Sequence, residues 1–189
     1  MNSLVPPPNS VASGSRSRRA LIAGLFALIL SVGTETARAQ SGAEDAGSEL
    51  SLHVGYLLPN QIPGVTEIMP VFGARYATPF IGTMGEFAFG NTHAEGVDFT
   101  TFSAGARIDL PEIDQFVGFV TAGLDLHWYI PNGATKRQTD TGFHLGTGLM
   151  MRAVESLWLR SDIKLMAQPG TALYIGFGVM FRPESSAAQ

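Results

Sequence analysis

Three features of the 189-residue chain predict an all-β fold, an antiparallel up-and-down barrel of eight strands. Apolar and polar residues alternate with a period of two through eight successive segments beyond residue 49. Turn-rich pieces separate those segments, and no helical periodicity competes with the alternation there. The segments are 50–58, 67–77, 82–90, 97–110, 115–129, 141–152, 156–167 and 172–182.

Each segment has one apolar and one polar parity. The first sets Leu50, Leu52, Val54 and Tyr56 against His53 and Gly55, and the second sets Phe72, Ala74 and Tyr76 against Glu67, Gly73 and Arg75. Pro70 is expected to make the second strand start after it or bulge there, because a closed barrel has no free edge for a residue without an N–H. Phe87 and Phe89 oppose Gly82 and Glu86 in the third segment; in the fourth, Phe102, Ala104, Ala106, Ile108 and Leu110 oppose Gly105, Arg107 and Asp109. The fifth alternates Phe116, Val120, Leu124, Leu126 and Trp128 with Gly123, Asp125 and His127. Phe143, Leu145 and Leu149 of the sixth alternate with Gly142, His144, Gly146, Gly148 and Arg152. In the seventh, LWLRSDIKLM, Leu157, Leu159, Ile163 and Leu165 face away from Arg160, Asp162 and Lys164. The eighth sets Leu173, Ile175, Phe177, Val179 and Phe181 against Gly176, Gly178 and Arg182. The connections PNQIPGVT, NTHAEG, PNGATKRQTD and QPG fall on one side, and ATPFIG, PEID and AVES on the other, as a meander of hairpins requires.

A soluble barrel would show the same alternation with its apolar parity inward. Three observations turn it outward. Charged residues make up 15% of the chain, whereas ordinary soluble domains carry about 25%. Ten glycines, Gly55, Gly73, Gly82, Gly105, Gly123, Gly142, Gly146, Gly148, Gly176 and Gly178, share the polar parity, and a narrow eight-stranded interior wants small residues where a solvent face does not. The charges on that parity nearly cancel, with acids Glu67, Glu86, Asp109, Asp125 and Asp162 against bases Arg75, Arg107, Arg152, Arg160, Lys164 and Arg182, as a low-dielectric interior demands. No strand is expected to divide its charges between faces. Backbone groups in hydrocarbon must all be paired, so the outward reading gives a closed transmembrane β-barrel.

The start of the chain agrees with export. Arg16, Arg18 and Arg19 precede an apolar run from Ala20 to Val32 and an Ala37-Arg38-Ala39 site, which reads as a secretory signal peptide over residues 1–39. That run is short for a spanning helix, the alternative. Ser17-Arg18-Arg19-Ala20-Leu21 also resembles part of a twin-arginine signal. Residues 40–49, small, polar and acidic, read as a flexible mature N-terminus, followed by a barrel over 50–182 and a polar tail over 183–189. Without residues 1–39 the formal charge is −7, from 8 basic and 15 acidic residues, which argues against nucleic acid as a partner. The chain has no cysteine, so disulfides, thiolate metal sites and cysteine nucleophiles are excluded.

The final strand, Tyr174-Ile175-Gly176-Phe177-Gly178-Val179-Met180-Phe181, resembles the C-terminal assembly signal of the small eight-stranded outer-membrane β-barrels of Gram-negative bacteria, the OmpA/OmpX type. The resemblance covers residues 50–182. It implies an outer-membrane location, contact with outer-membrane lipid, and recognition by the barrel assembly machinery through Tyr174, Gly176, Val179 and Phe181. The chain departs from the pattern in that RPESSAAQ follows Phe181. The resemblance also makes the side with both chain ends periplasmic, with external loops at 59–66, 91–96, 130–140 and 168–171. Tyr56 and Trp128 would then mark an outer aromatic girdle, and Tyr76, Phe116 and Phe181 an inner one.

Function rests on the interior. Counting back from the hairpins brings Asp125 near His144, His144 near Lys164, and Glu86 to a similar height. With Arg75, Arg107, Arg160 and Asp162 they form a lumen charge network. It reads as paired charges plugging a narrow lumen in a structural or interaction protein of the cell envelope. A proton-linked or catalytic cluster, a narrow porin and a soluble periplasmic ligand-binding barrel are the alternatives. A lipid-modifying enzyme would need serine beside histidine at the lipid-facing rim. His53, His127 and His144 have inward parity, His93 lies in a loop, Ser103 and Ser156 have no histidine neighbour in sequence, and Ser161 lies between Leu159 and Ile163 on the apolar face. No catalytic residue, metal-ligand spacing or cofactor motif is identified, and the sequence names no external ligand.

Overall fold

The computed structural model describes residues 47–62, 65–94, 96–131, 133–167 and 170–183. The signal peptide over 1–39, most of the polar N-terminus and tail residues 184–189 lie outside the described residues. Eight strands follow one another: β1 (Glu49–Asn60), β2 (Met69–Phe80), β3 (Thr83–Ala94), β4 (Val97–Asp109), β5 (Phe116–Ile130), β6 (Gln138–Val154), β7 (Leu157–Ala167) and β8 (Thr171–Phe181). Each pairs antiparallel with the next, and β8 pairs with β1, closing the barrel. All eight predicted segments are strands, displaced at their ends by up to three or four residues. The turns after β2, β4 and β6 lie at the end where β1 starts and β8 finishes, here the terminus end. The other connections form the loop end.

The period-two alternation decides the two surfaces. Leu52, Phe72, Leu124 and Phe177 are each more than 60% exposed on the outside, and Leu159, Ile163 and Leu165 join them. Arg160, Asp162 and Lys164 are buried within. The apolar parity therefore faces out, contrary to the soluble-barrel alternative, and the charges of LWLRSDIKLM face the lumen. Tyr56, Tyr76, Phe116 and Phe181 are exposed on the outer surface, and Trp128 is half-buried.

Several local expectations are corrected. Pro70 lies inside β2, opposite Tyr56 of β1, with neither a late start nor a bulge. Its missing N–H is tolerated because the β2–β3 ladder ends at Phe72↔Asn91, so no partner strand is paired to Pro70 on that side. Glu67 precedes β2 and is exposed rather than in the lumen, and Gly82 is in the exposed β2–β3 turn. Arg152, the last residue in register before the shift between Arg152 and Val154, bonds Glu112 at the exposed terminus rim. Asp98 shows that β4 does divide its charges: it is exposed beside His93 at the loop end, while Arg107 is buried. Glu49, grouped with the flexible N-terminus by its polar neighbours, is the first residue of β1 and is 2% exposed.

Two apolar clusters occupy the interior. Val117, Phe119, Met150, Trp158 and Met180 fill the terminus half. Leu57, Ile62, Val65, Met69, Val71, Val97, Phe99, Tyr129, Ala172 and Tyr174 fill the loop end, where the Val65 amide donates to Ile62 O at 3.1 Å. Inward glycines make room for neighbours on adjoining strands: a Cβ at Gly148 would collide with the Phe119 ring, and one at Gly73 with the His53 imidazole. Large inward side chains are thus accommodated where the facing position has none.

Candidate functional site

Between the apolar clusters lies a belt of ion pairs contributed by β2, β3, β4 and β7. Arg160 donates from Nη1 to Glu86 Oε2 at 2.7 Å and from Nη2 to Asp162 Oδ1 at 2.8 Å. Arg75 donates from Nη1 to Asp162 Oδ2 at 3.1 Å and places Nε 3.2 Å from Glu86 Oε1. Lys164 Nζ is held more loosely, 3.7 Å from Glu86 Oε1. Arg107 joins the belt to the terminus end, 3.6 Å from Glu86 and forked onto Glu49 at 2.7 and 2.9 Å, with Asp109 at 2.6 Å. Arg182 completes that end by bonding Glu49 and Asp109. The Arg160 guanidinium also stands 4.2 Å from the Phe119 ring centroid, an arrangement that favours a desolvated cation.

The local sequence explains why these groups meet. Arg160, Asp162 and Lys164 alternate along one strand, so all three point inward and Arg160 can fork onto its own second neighbour. Glu86 reaches them from the far side because closure brings β3 opposite β7. Five acids (Glu49, Glu86, Asp109, Asp125, Asp162) and five bases (Arg75, Arg107, Arg160, Lys164, Arg182) face the described lumen below the loop-end cluster. Matched opposite charges with several hydrogen bonds each are what makes such burial tolerable.

The predicted network divides in two. Arg75, Glu86, Arg107, Arg160, Asp162 and Lys164 form the belt, whereas Asp125 and His144 form a separate group with Ser103. His144 Nδ1 and Ser103 Oγ lie 2.8 Å and 2.6 Å from the same Asp125 oxygen, Oδ1. Among the described residues no ion pair joins this group to the belt; His144 and Lys164 instead line one cavity of about 60 Å³. His53, Arg75, Val71, Thr92, Phe99 and Tyr174 also border it.

The Ser103, Asp125 and His144 group joins residue types far apart in sequence, but its geometry differs from a nucleophile relay. Ser103 donates to the carboxylate, not to the imidazole, so His144 is not placed to take its proton as in a serine–histidine pair. The group also lies inside the barrel, away from the apolar outer face where a lipid would react.

Of the strand residues matched to an assembly signal, Tyr174 and Gly176 point inward and are buried, while Val179 and Phe181 are exposed on the outer face. Sequence reasoning missed Glu49 and the inward Phe119, Tyr129, Met150, Trp158 and Met180. Their parity was the available signal: Glu49 shares that of Ser51 and His53, and Trp158 that of Arg160.

No family model matches the chain, and no curated protein sequence matches it significantly. Solved structures do. The N-terminal β-barrel domain of Pseudomonas aeruginosa OprF superposes with a TM-score of 0.57 at 15% identity, covering 73% of this chain and 99% of that one. Neisserial surface protein A gives 0.55 at 12% identity, with 72% and 96% covered. Ail, the attachment invasion locus protein of Yersinia pestis, gives 0.51 at 14% identity, with 73% and 97% covered. At these identities the likeness concerns the fold. With eight antiparallel strands closed on themselves, an apolar outer parity and these neighbours, the chain has the fold of the small eight-stranded outer-membrane β-barrels.

Proposed function

We propose that this chain is an integral outer-membrane barrel with a plugged, non-conducting lumen and a structural or interaction role at the cell envelope. The observation that carries the reading is the ion-pair belt of Arg75, Glu86, Arg160, Asp162 and Lys164, five side chains each less than 10% exposed. A conducting path would need a hydrated gap through them, and the apolar clusters lie on both sides of the belt. On this reading residues 1–39 direct export, the outer parity contacts lipid, and β8 with Phe181 engages the assembly machinery. The short loops, the β7–β8 connection spanning only three residues, 168–170, suit a small contact surface more than a large receptor.

Planar-bilayer recording of the refolded barrel is the test. The plug predicts no stable open level, and a large, steady conductance from the wild type would establish a narrow porin instead. The Asp125 group favours no enzyme reading, because neither Ser103 nor His144 faces the lipid.

A further inference from the structure

The β2–β3 ladder runs from Phe80↔Thr83 to Phe72↔Asn91 and stops. Both strands continue: Met69 still pairs with Leu57 of β1, and Ala94 still pairs with Val97 of β4. Extending the register would set Pro70 opposite His93, and proline has no N–H to donate. Among the described residues the segments 69–71 and 92–94 therefore face each other across a seam without ladder pairing. Val71 packs over the bare face of Gly90, where an added Cβ would come within 3.3 Å of Val71 Cγ1. Parting this seam breaks no ladder hydrogen bond.

Behind the seam lies the 60 Å³ cavity. Val71 and Thr92 belong to both, Gly90 lines the cavity just below the seam, and Leu57, Phe99 and Met166 continue an apolar wall inward. Several residues that line the cavity carry polar groups with unused bonding capacity. Among the described residues the Tyr174 hydroxyl, Thr92 Oγ1 and His53 Nδ1 have no hydrogen-bond partner, and each belongs to a residue more than nine-tenths buried. Lys164 Nζ, a donor only, has Glu86 at 3.7 Å as its sole ion-pair partner among the described residues. Asp125 also borders the cavity, through an unpartnered Oδ2, but its charge is shared with His144 and Ser103 on Oδ1. Buried donors left unmade are costly, so the space suits an acceptor-rich guest. The volume takes a head group and a few methylenes, or a handful of waters. A longer chain would leave through the seam, past Phe72 and Phe89.

We propose that the β2–β3 seam at Pro70 admits a single-chain anionic amphiphile of the fatty-acid class into this cavity. Its carboxylate meets Lys164 and Tyr174, and its first methylenes lie against Leu57, Val71 and Phe99. The exposed His93 and Asp98 beside the upper seam put its mouth near the polar boundary of the outer surface, where an amphiphile's chain and head divide. The inference rests on the membrane reading above, since the guest would arrive from the lipid side.

The test is native mass spectrometry of the mature barrel released from nanodiscs in an uncharged detergent, with decanoate as probe and decanol and acetate as controls. One decanoate per barrel is expected, with decanol and acetate at least about tenfold weaker, because one lacks the charge and the other the chain. Lys164→Met and Tyr174→Phe should each weaken decanoate, the former by about tenfold. Pro70→Val, which restores an N–H, should slow association and dissociation together. Circular dichroism and migration of unboiled samples confirm that each variant is folded. Absent binding, equal uptake of decanol, acetate as tight as decanoate, or indifference to both Lys164→Met and Tyr174→Phe would each overturn the site. Failure of the wild type to enter nanodiscs would overturn the membrane reading instead, so the two are separable.

Discussion

Glu86 of β3 and Arg160 of β7 stand 74 positions apart in sequence and meet across the lumen at 2.7 Å, Nη1 to Oε2. Glu86 also faces Arg75, Arg107 and Lys164, so one carboxylate offsets part of the charge of four cations. Removing it leaves several buried bases under-compensated, whereas the belt as a whole does not make the barrel more stable than an apolar filling would.

Glu86→Gln is therefore expected to lower unfolding free energy by about 3–5 kcal/mol. Urea titration of the barrel in lipid vesicles, followed by tryptophan fluorescence, measures it. A loss within error of an exposed-site control such as Glu155→Gln would show that the belt is not coupled as its geometry indicates.

On the outer face, arginine at whichever of Leu159 and Ile163 lies nearer mid-bilayer should cost about 2–4 kcal/mol, and less toward either interface. Nitroxides at both positions should be quenched by oxygen more than by a water-soluble nickel reagent. A label at Asp162 should be shielded from both, since its side chain is 1% exposed. Preferential nickel quenching at Leu159 and Ile163 would reverse the assignment of faces.

The β2–β3 turn contains Ile81 at φ 45° followed by Gly82 at φ 70°, the pair of positive values that a two-residue hairpin requires. A β-branched residue is strained there, and Ile81 is 86% exposed, so its side chain gains little packing. Ile81→Asn should stabilise the barrel by about 1 kcal/mol. The same urea titration reads it out, and an unchanged or lower midpoint would mean that Ile81 is stabilised by lipid contact.

Phe181 ends β8 and is in register with both Leu50 and Leu157, at the point where the barrel closes. Phe181→Ala should reduce outer-membrane yield more than removal of residues 184–189, because the side chain is part of the closing strand and the tail is polar. Quantitative blotting of membrane fractions compares them, and equal yields for Phe181→Ala and wild type would separate Phe181 from assembly.

Strand number, order of faces and the inward direction of Arg75, Arg107, Arg160, Asp162 and Lys164 were legible in the sequence. Each is a consequence of period-two alternation, a property of neighbours along the chain. Glu67 and Arg152 lie beyond the ends of the lumen, and Glu49, read as part of the flexible N-terminus, proved to be the partner of Arg107 and Arg182. Parity tells which way a side chain points, not how far along the barrel axis it sits. The Asp125 and His144 pair lies on adjacent strands and follows from hairpin counting, but partnership across the lumen depends on the stagger of eight strands at closure, which sets Glu86 against Arg160. The same stagger ends the β2–β3 ladder short of Pro70, turning a residue that alternation alone marks as a fault into the edge of an unpaired seam. Local chemistry along the chain determined the barrel and its two faces; only closure, by fixing axial heights, decided which buried charges pair across the lumen and where the wall lacks ladder pairing.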